Sequence, residues 1–209
     1  MYNRYLKRLL DIIGSLVLII VLSWLFILLA LLIKLTSRGK ILYKQKRFGK
    51  NKKIFSILKF RTMKSSAPGD VPTHLLQDPE EYITGIGKIL RKTSLDELPQ
   101  LFNIIKGDMS IVGPRPALWN QYDLIAERDN NDANDVRPGL TGWAQINGRD
   151  ELPILLKAHY DGDYVKKMSF LFDMICIFKT VVYVIKHDGV NEGVIEGRNN
   201  NEKSINNWG

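Results

Sequence analysis

Two carboxylates stand side by side at Asp96-Glu97, inside the run Thr93-Ser94-Leu95-Asp96-Glu97-Leu98-Pro99. Two explanations fit that placement. Structurally, Ser94 followed three residues later by Glu97 has the spacing of a capping box, and acids in a first helical turn suit the helix dipole. Chemically, a carboxylate can attack phosphorus, as aspartyl-phosphate enzymes do. Neighbouring carboxylates can also hold Mg2+, which keeps most of its waters and bridges to substrate phosphates. A glycosidase pair fits poorly. Its carboxyls flank the scissile bond about 5–9.5 Å apart, whereas neighbours on one helix diverge by roughly 100°.

Phosphate chemistry also needs cations on stiff mounts. Candidates are Lys59 and Arg61 in "KFRTM", Arg91 in "LRKTS", Arg115 in "GPRP" and Arg137 in "VRPGLTG". Arg115 lies between Pro114 and Pro116, whose fixed φ angles restrict it and suit its planar fork to bidentate phosphate recognition. For each arginine the competing reading is a helix C-terminus or a surface carboxylate. Gly107, Gly113, Gly139 and Gly142 suit either close approach to a ligand or plain turns. No Gly-rich phosphate loop or dinucleotide fingerprint occurs, so no Rossmann or P-loop fold is expected. His74, His159 and His187 lie far apart, which argues against a structural zinc site. The single cysteine, Cys176, sits in "MICIFKTVVYVI" and reads as packed and inert, with no disulfide framework.

The elements that must position these residues start with a greasy one. Ile12 to Ile33 are 22 uncharged residues, roughly 33 Å as a straight helix, enough to cross a hydrocarbon core. The run is too long for a signal peptide and is followed by basic residues rather than a cleavage site. Arg4, Lys7 and Arg8 precede it, and twelve Lys or Arg lie between Lys34 and Lys64. No acidic residue stands between Asp11 and Asp70, and the net charge is +8. With both flanks basic, the positive-inside rule asks for the cytoplasm on both sides. A straight span leaves one flank outside and a re-entrant hairpin satisfies both, so the sequence alone leaves the two open. A hairpin needs a break, and Ser23 is the candidate because its hydroxyl can pair with a freed carbonyl.

Beyond it, Ile41–Tyr43 and Ile54–Phe60 with a turn at Gly49 to Asn51 read as a hairpin. "SSAPGDVPTHLLQDPEEY" reads as a mobile loop. Then follow helix, connection, helix, turn, short strand, loop and helix. Ile86, Ile89 and Leu90 form one apolar face, and Leu98, Leu101, Phe102 and Ile105 another. "HYDGDYVKKMSFLFDMICIFKTVVYVIKHDG" reads as one long helix, buried or lying partly in a membrane surface. The fold class expected is a mixed, helix-rich α/β single domain with an N-terminal membrane helix. Its parts are a membrane-embedded segment 1–36, a cytosolic domain 37–190 and a polar tail 191–209.

The set "KFRTM", "RKTSLDELPQLFNIIKGDMSIVGPRP", "RPGLTGWAQINGR" and "YVKKMSFLFD", in that order, closely resembles the bacterial sugar transferases, monotopic polyprenol-phosphate phosphoglycosyl transferases. The likeness runs from Arg4 to about Asp188. The short length is similar to the minimal single-domain kind, and within it to the transferases that begin bacterial N-linked glycans with diacetylbacillosamine phosphate. The resemblance implies transfer of a sugar-1-phosphate from a UDP-sugar to undecaprenyl phosphate, in two steps with Mg2+, releasing UMP. It implies that Asp96 is the nucleophile and Glu97 its partner in metal or proton handling. Lys59, Arg91 and Arg115, with Pro114 and Pro116, match phosphate and nucleotide positions, and Arg61, Arg137, Gln145 and Arg149 are weaker substrate candidates. The family usually breaks its membrane helix at a proline after a serine; here that place is Ser23-Trp24. The resemblance favours the re-entrant form, both termini in the cytosol and the inner membrane as location. It implies contact with anionic lipids and no nucleic acid, and admits a homodimer. A membrane-tethered binder of nucleic acid or anionic lipid would explain the basic run and the anchor, but it requires neither the carboxylate pair nor the proline-framed arginine.

Overall fold

The structure is a computed structural model and describes residues 2–64, 66–67, 78–148 and 152–186. Residues 68–77 of the expected mobile loop, Arg149 and the tail from 191 are among those outside the described residues.

A π-helical turn, Tyr2–Leu6, leads into α1 (Lys7–Val21), and α2 (Ser23–Thr36) follows after one residue. The two helices are bent by 64°. Among the described residues no single helix is long and apolar enough to cross a membrane, but this bent pair passes that test together. The break falls at Leu22 (φ −94°, ψ 8°), beside the serine the sequence marks. The expected mechanism is corrected, however. The Ser23 hydroxyl makes no hydrogen bond among the described residues, and the neighbouring turns stay bonded through Leu22 N to Leu18 O and Phe26 N to Leu22 O. Tertiary docking accounts for a bend that usually needs proline. α1 is tied through Arg8 to the carbonyls of Ile104 and Ile105, while Leu29 and Ile33 of α2 pack with Phe60 and Leu90.

α1 is inverted relative to a helix on a water-soluble domain. Lys7, Asp11 and Ser15, one stripe at four-residue spacing, are its buried residues, while Ile13, Val17, Ile20 and Val21 are exposed. Asp11 accepts hydrogen bonds from Ser110 Oγ (2.7 Å) and Ile111 N (3.0 Å), and Lys7 donates to Asp173 (2.6 Å).

The expected hairpin is present. β1 (Leu42–Phe48) pairs antiparallel with β2 (Ile54–Phe60), Leu42 opposite Phe60 and Phe48 opposite Ile54. α3 (Pro79–Tyr82), α4 (Gly85–Lys92), a 3-10 turn (Leu95–Glu97) and α5 (Gln100–Lys106) follow. α5 buries Leu101 and Ile104 and leaves Phe102 exposed, so its inner face is rotated from the expected one. β3 (Ser110–Val112) and β4 (Gly139–Thr141) pair in parallel, with α6 (Tyr122–Asp129) between them in sequence. After α7 (Trp143–Ile146), the single long helix expected from the pattern is two helices, α8 (Ile154–Lys167) and α9 (Phe170–Lys186). Ser169 divides them: its Oγ accepts from Phe172 N, the hydroxyl capping that starts a helix. The result is a mixed, helix-rich α/β domain with two small sheets.

Candidate active site

The carboxylate pair sits in the three-residue 3-10 turn between α4 and α5. The capping box does not form. Ser94 is left-handed (φ 56°, ψ 16°) with no side-chain cap, and its N–H donates to Arg91 O. A capping box needs an extended residue there, its N–H available to the glutamate. Leu95 and Leu98 on either side pack with Leu29 and Ile33 of α2 and Leu90 of α4. Those anchors fix the turn and press both carboxylates inward, Asp96 to 8% and Glu97 to 9% exposure.

The two differ in partners. Glu97 Oε1 accepts from Lys59 Nζ at 2.8 Å and from Arg115 Nη2 at 3.3 Å. Asp96 accepts no hydrogen bond among the described residues, and its nearest ion-pair partner is Lys59 Nζ at 3.9 Å. Burial pushes the Asp96 carboxyl up to about 6; Lys59, Arg91 and Arg115 oppose that rise and Glu97 adds to it. At neutral pH Asp96 is therefore mostly ionised, yet more basic than an ordinary aspartate.

β2 delivers Lys59. Arg91, in the last turn of α4, donates from Nε to Thr62 Oγ1 (2.9 Å). Arg115 rides a loop held at both prolines. Pro114 O accepts from Gly139 N (2.8 Å), and Pro116 O from Arg47 Nη1 (2.9 Å). The glycines serve backbone against backbone: a Cβ on Gly113 would lie 2.5 Å from Arg137 O and 2.9 Å from Gly139 N. Sequence reasoning missed Arg47 and Thr62. Arg47 was hidden in a basic run, and Thr62 carries no signal apart from its place in "KFRTM".

Other predicted residues fall elsewhere. Arg137 donates from Nε to Gly107 O, at the end of α5 away from the pair. Gln145 braces β4 through Leu140 O. Arg61 is buried and binds the residues that close α2, Ser37 and Arg38, through their carbonyls. Arg149 lies outside the described residues.

Two adjacent carboxylates fit Mg2+ of one kind only. The ion takes one or two of them and completes its shell with water and substrate phosphates. Among the described residues no group of three or more metal-ligating side chains exists, so an all-protein cage does not fit.

The site is thus a buried carboxylate pair with Lys59, Arg91 and Arg115 about it, on a turn packed against α2 of the bent apolar helix pair. Comparison with known proteins gives the chain's family. The family model described as bacterial sugar transferase matches residues 2–187. The chain is 38% identical over 187 residues to the uncharacterized sugar transferase EpsL of Bacillus subtilis, covering 90% of this chain and 91% of that one. It is 41% identical over 187 residues to the UDP-glucose:undecaprenyl-phosphate glucose-1-phosphate transferase of Escherichia coli, 86% of this chain and 40% of that protein. It is 36% identical over 202 residues to the undecaprenyl-phosphate galactose phosphotransferase of Salmonella typhimurium, 90% and 42%. The chain belongs to the bacterial sugar transferase family and is a transferase enzyme.

Proposed function

We propose that this chain transfers a sugar-1-phosphate from a UDP-sugar to undecaprenyl phosphate, the first membrane step in assembling a glycoconjugate. The carrying observation is the asymmetry of the pair: Glu97 is held by Lys59 and Arg115, while the buried Asp96 has no hydrogen bond among the described residues. An ionised, desolvated carboxylate without a donor on its oxygens is suited to attack. Asp96 attacks the sugar-linked phosphorus, the bond to the UMP oxygen breaks, and UMP leaves with that electron pair. An oxygen of undecaprenyl phosphate then attacks the same phosphorus, and the Asp96 carboxylate is released. Arg91 and Arg115 hold the phosphates throughout, and Lys59 keeps Asp96 ionised. Mg2+, bound by Asp96 and Glu97 with the donor's phosphates, would supply further neutralisation of phosphate charge.

The names of the Escherichia coli and Salmonella relatives support the acceptor. For the sugar, the motifs' likeness to the minimal kind favours an N-acetylated or deoxyamino sugar, diacetylbacillosamine included. A panel of such UDP-sugars, with UDP-glucose and UDP-galactose as competitors, is tested with undecaprenyl phosphate and Mg2+ by UMP release. Release from none of them would end the proposal.

The bent pair α1–α2 is proposed as a re-entrant element, residues 1–36, that keeps both flanks and the catalytic domain on the cytosolic face of the inner membrane. Its exposed apolar side, with Leu171, Phe178 and Val181 on α9, forms the face turned to lipid. Labelling of cysteines at positions 2–5 from outside intact cells would sink this topology.

A further inference from the structure

The side chain of Asn103 serves a strand rather than its own helix. It lies on the buried side of α5 with Leu101 and Ile104, 2% exposed. Its Oδ1 accepts from Leu58 N (2.9 Å), and its Nδ2 donates to Ser56 O (2.8 Å) and to Asp108 Oδ2 (3.3 Å). Ser56 and Leu58 belong to β2, which pairs with β1 in a sheet of two strands. The backbone groups of successive strand residues point alternately to the two edges, so residues 56 and 58 face the edge turned away from β1. The carboxamide gives that edge one acceptor and one donor, as a neighbouring strand would. Its orientation follows from its partners, because an N–H must meet the amide oxygen and a carbonyl the amide nitrogen.

This grip decides where Lys59 ends. Side chains alternate along a strand, so Ile57 and Lys59 lie on one face of β2. Ile57 packs with Leu101, Ile104 and Met109. Lys59, one repeat further on, meets Glu97 at 2.8 Å, and Glu97 stands three residues before α5 begins. The meeting of cation and carboxylate therefore depends on how β2 is registered along α5. Apolar packing is non-directional, and pairing with β1 fixes β2 only within its own hairpin. A slip of one two-residue repeat would carry the Lys59 backbone by about 7 Å away from its place opposite Glu97. Two directional hydrogen bonds from one short side chain exclude that slip. Asp lacks the donor, Leu lacks both groups, and Gln is longer by one methylene.

We infer that Asn103 is a positioning residue for the transfer reaction and acts through Lys59. It locks the strand that carries this cation onto the helix that follows the carboxylate turn. The inference rests on the proposed reaction and adds to it a residue outside the ring of charges.

A double-mutant cycle on the full chain in membrane mimetic separates positioning from stability. Asn103→Leu keeps the bulk and removes both polar groups. Per folded molecule it should lower kcat/KM for UMP release about tenfold or more. In a Lys59→Met background the same change should cost less than about twofold, because the cation that it places is gone. Equal losses in the two backgrounds, or no loss in the parent background, overturn the inference. If Asn103→Leu does not fold, amide hydrogen exchange in the parent decides. The Leu58 N–H should then exchange as slowly as those of Ile57 and Lys59, which face β1, and exchange at the rate of an open strand edge overturns the inference. If the parent releases no UMP from any UDP-sugar, the proposed reaction is refuted, and the Leu58 exchange rate judges the grip of Asn103 on β2 separately.

Discussion

Two buried acid–base clusters in this molecule invite comparison. Arg128 of α6 and Asp161 of α8 form a pair sealed to 3% and 1% exposure, with Nε at 2.8 Å and Nη2 at 2.6 Å from Asp161 Oδ2. Burial raises the Asp161 carboxyl and Arg128 opposes that rise. At the dyad burial likewise dominates, but three cations, Lys59, Arg91 and Arg115, act on Asp96 and none hydrogen-bonds it. The first cluster sets one guanidinium against one carboxylate, hydrogen-bonded through Arg128 Nε, with Nη2 close but making no hydrogen bond. At the second, Lys59 and Arg115 donate to Glu97, and Asp96 accepts no hydrogen bond among the described residues. Burial and a raised carboxyl are common to both clusters and so do not mark function by themselves. The difference is that Asp161 has a donor on its carboxylate and Asp96 has none among the described residues.

The largest expected effect is at Asp96. Asp96→Asn should lower UMP release by more than about 10^4-fold, whereas a fall of only a few-fold would place the nucleophile elsewhere. Stability should move the other way. With its carboxyl raised from 3.8 to about 6, the native state binds more protons than the unfolded chain between those values, so stability falls as pH rises through that window. Asp96→Asn removes this loss: its Tm should exceed the parent's above pH 6, and the gap should close below about pH 4. Arg128→Ala should do the opposite. Leaving Asp161 unpaired costs about 3–5 kcal/mol, a Tm lower by roughly 10 °C, with kcat/KM per folded molecule retained. Lost activity in a fully folded Arg128→Ala would blur the contrast between the clusters.

Lys59→Met is a smaller and sharper test. Lys59 holds the Asp96 carboxyl down against burial, so its removal should move the acid limb of the pH–rate profile to higher pH than in the parent, where the Asp96 carboxyl is pushed up to about 6. The deficit should be largest at pH 6 and shrink towards pH 8.5. A deficit equal at all pH values would make Lys59 a phosphate ligand alone. Gly113→Ala should have the least effect: the added methyl meets Arg137 O, costs about 1–3 kcal/mol, and by displacing Arg115 raises KM for the UDP-sugar a few-fold. An unchanged KM would mean that Arg115 needs no rigid mount.

Much of this was legible in the residues. The hairpin followed from two β-prone runs about a Gly-Lys-Asn turn, and α4 and α5 from their apolar spacing. Arg115 was marked by its two prolines. Other features were not legible, because they depend on partners distant in sequence. Nothing local distinguishes Arg137, which caps α5, from Arg115, which meets Glu97. Arg47 reads as one of many cations until Pro116 O lies against it. The break at Ser169 was masked because Met168 and Phe170 carry the apolar pattern across it, and Ser94 forms no cap because its backbone is left-handed.

By itself the sequence determined the family, the carboxylate pair and the apolar segment with its basic flanks, since residue type, order and spacing are enough for each. Only the tertiary structure decided what separates Asp96 from Glu97. That difference comes from which cations β2 and the Pro-Arg-Pro loop carry to each carboxylate, and from burial by α2, whose packing onto the turn is a long-range contact. The bend at Leu22 is also tertiary, because two docked half-helices hold it where no proline does.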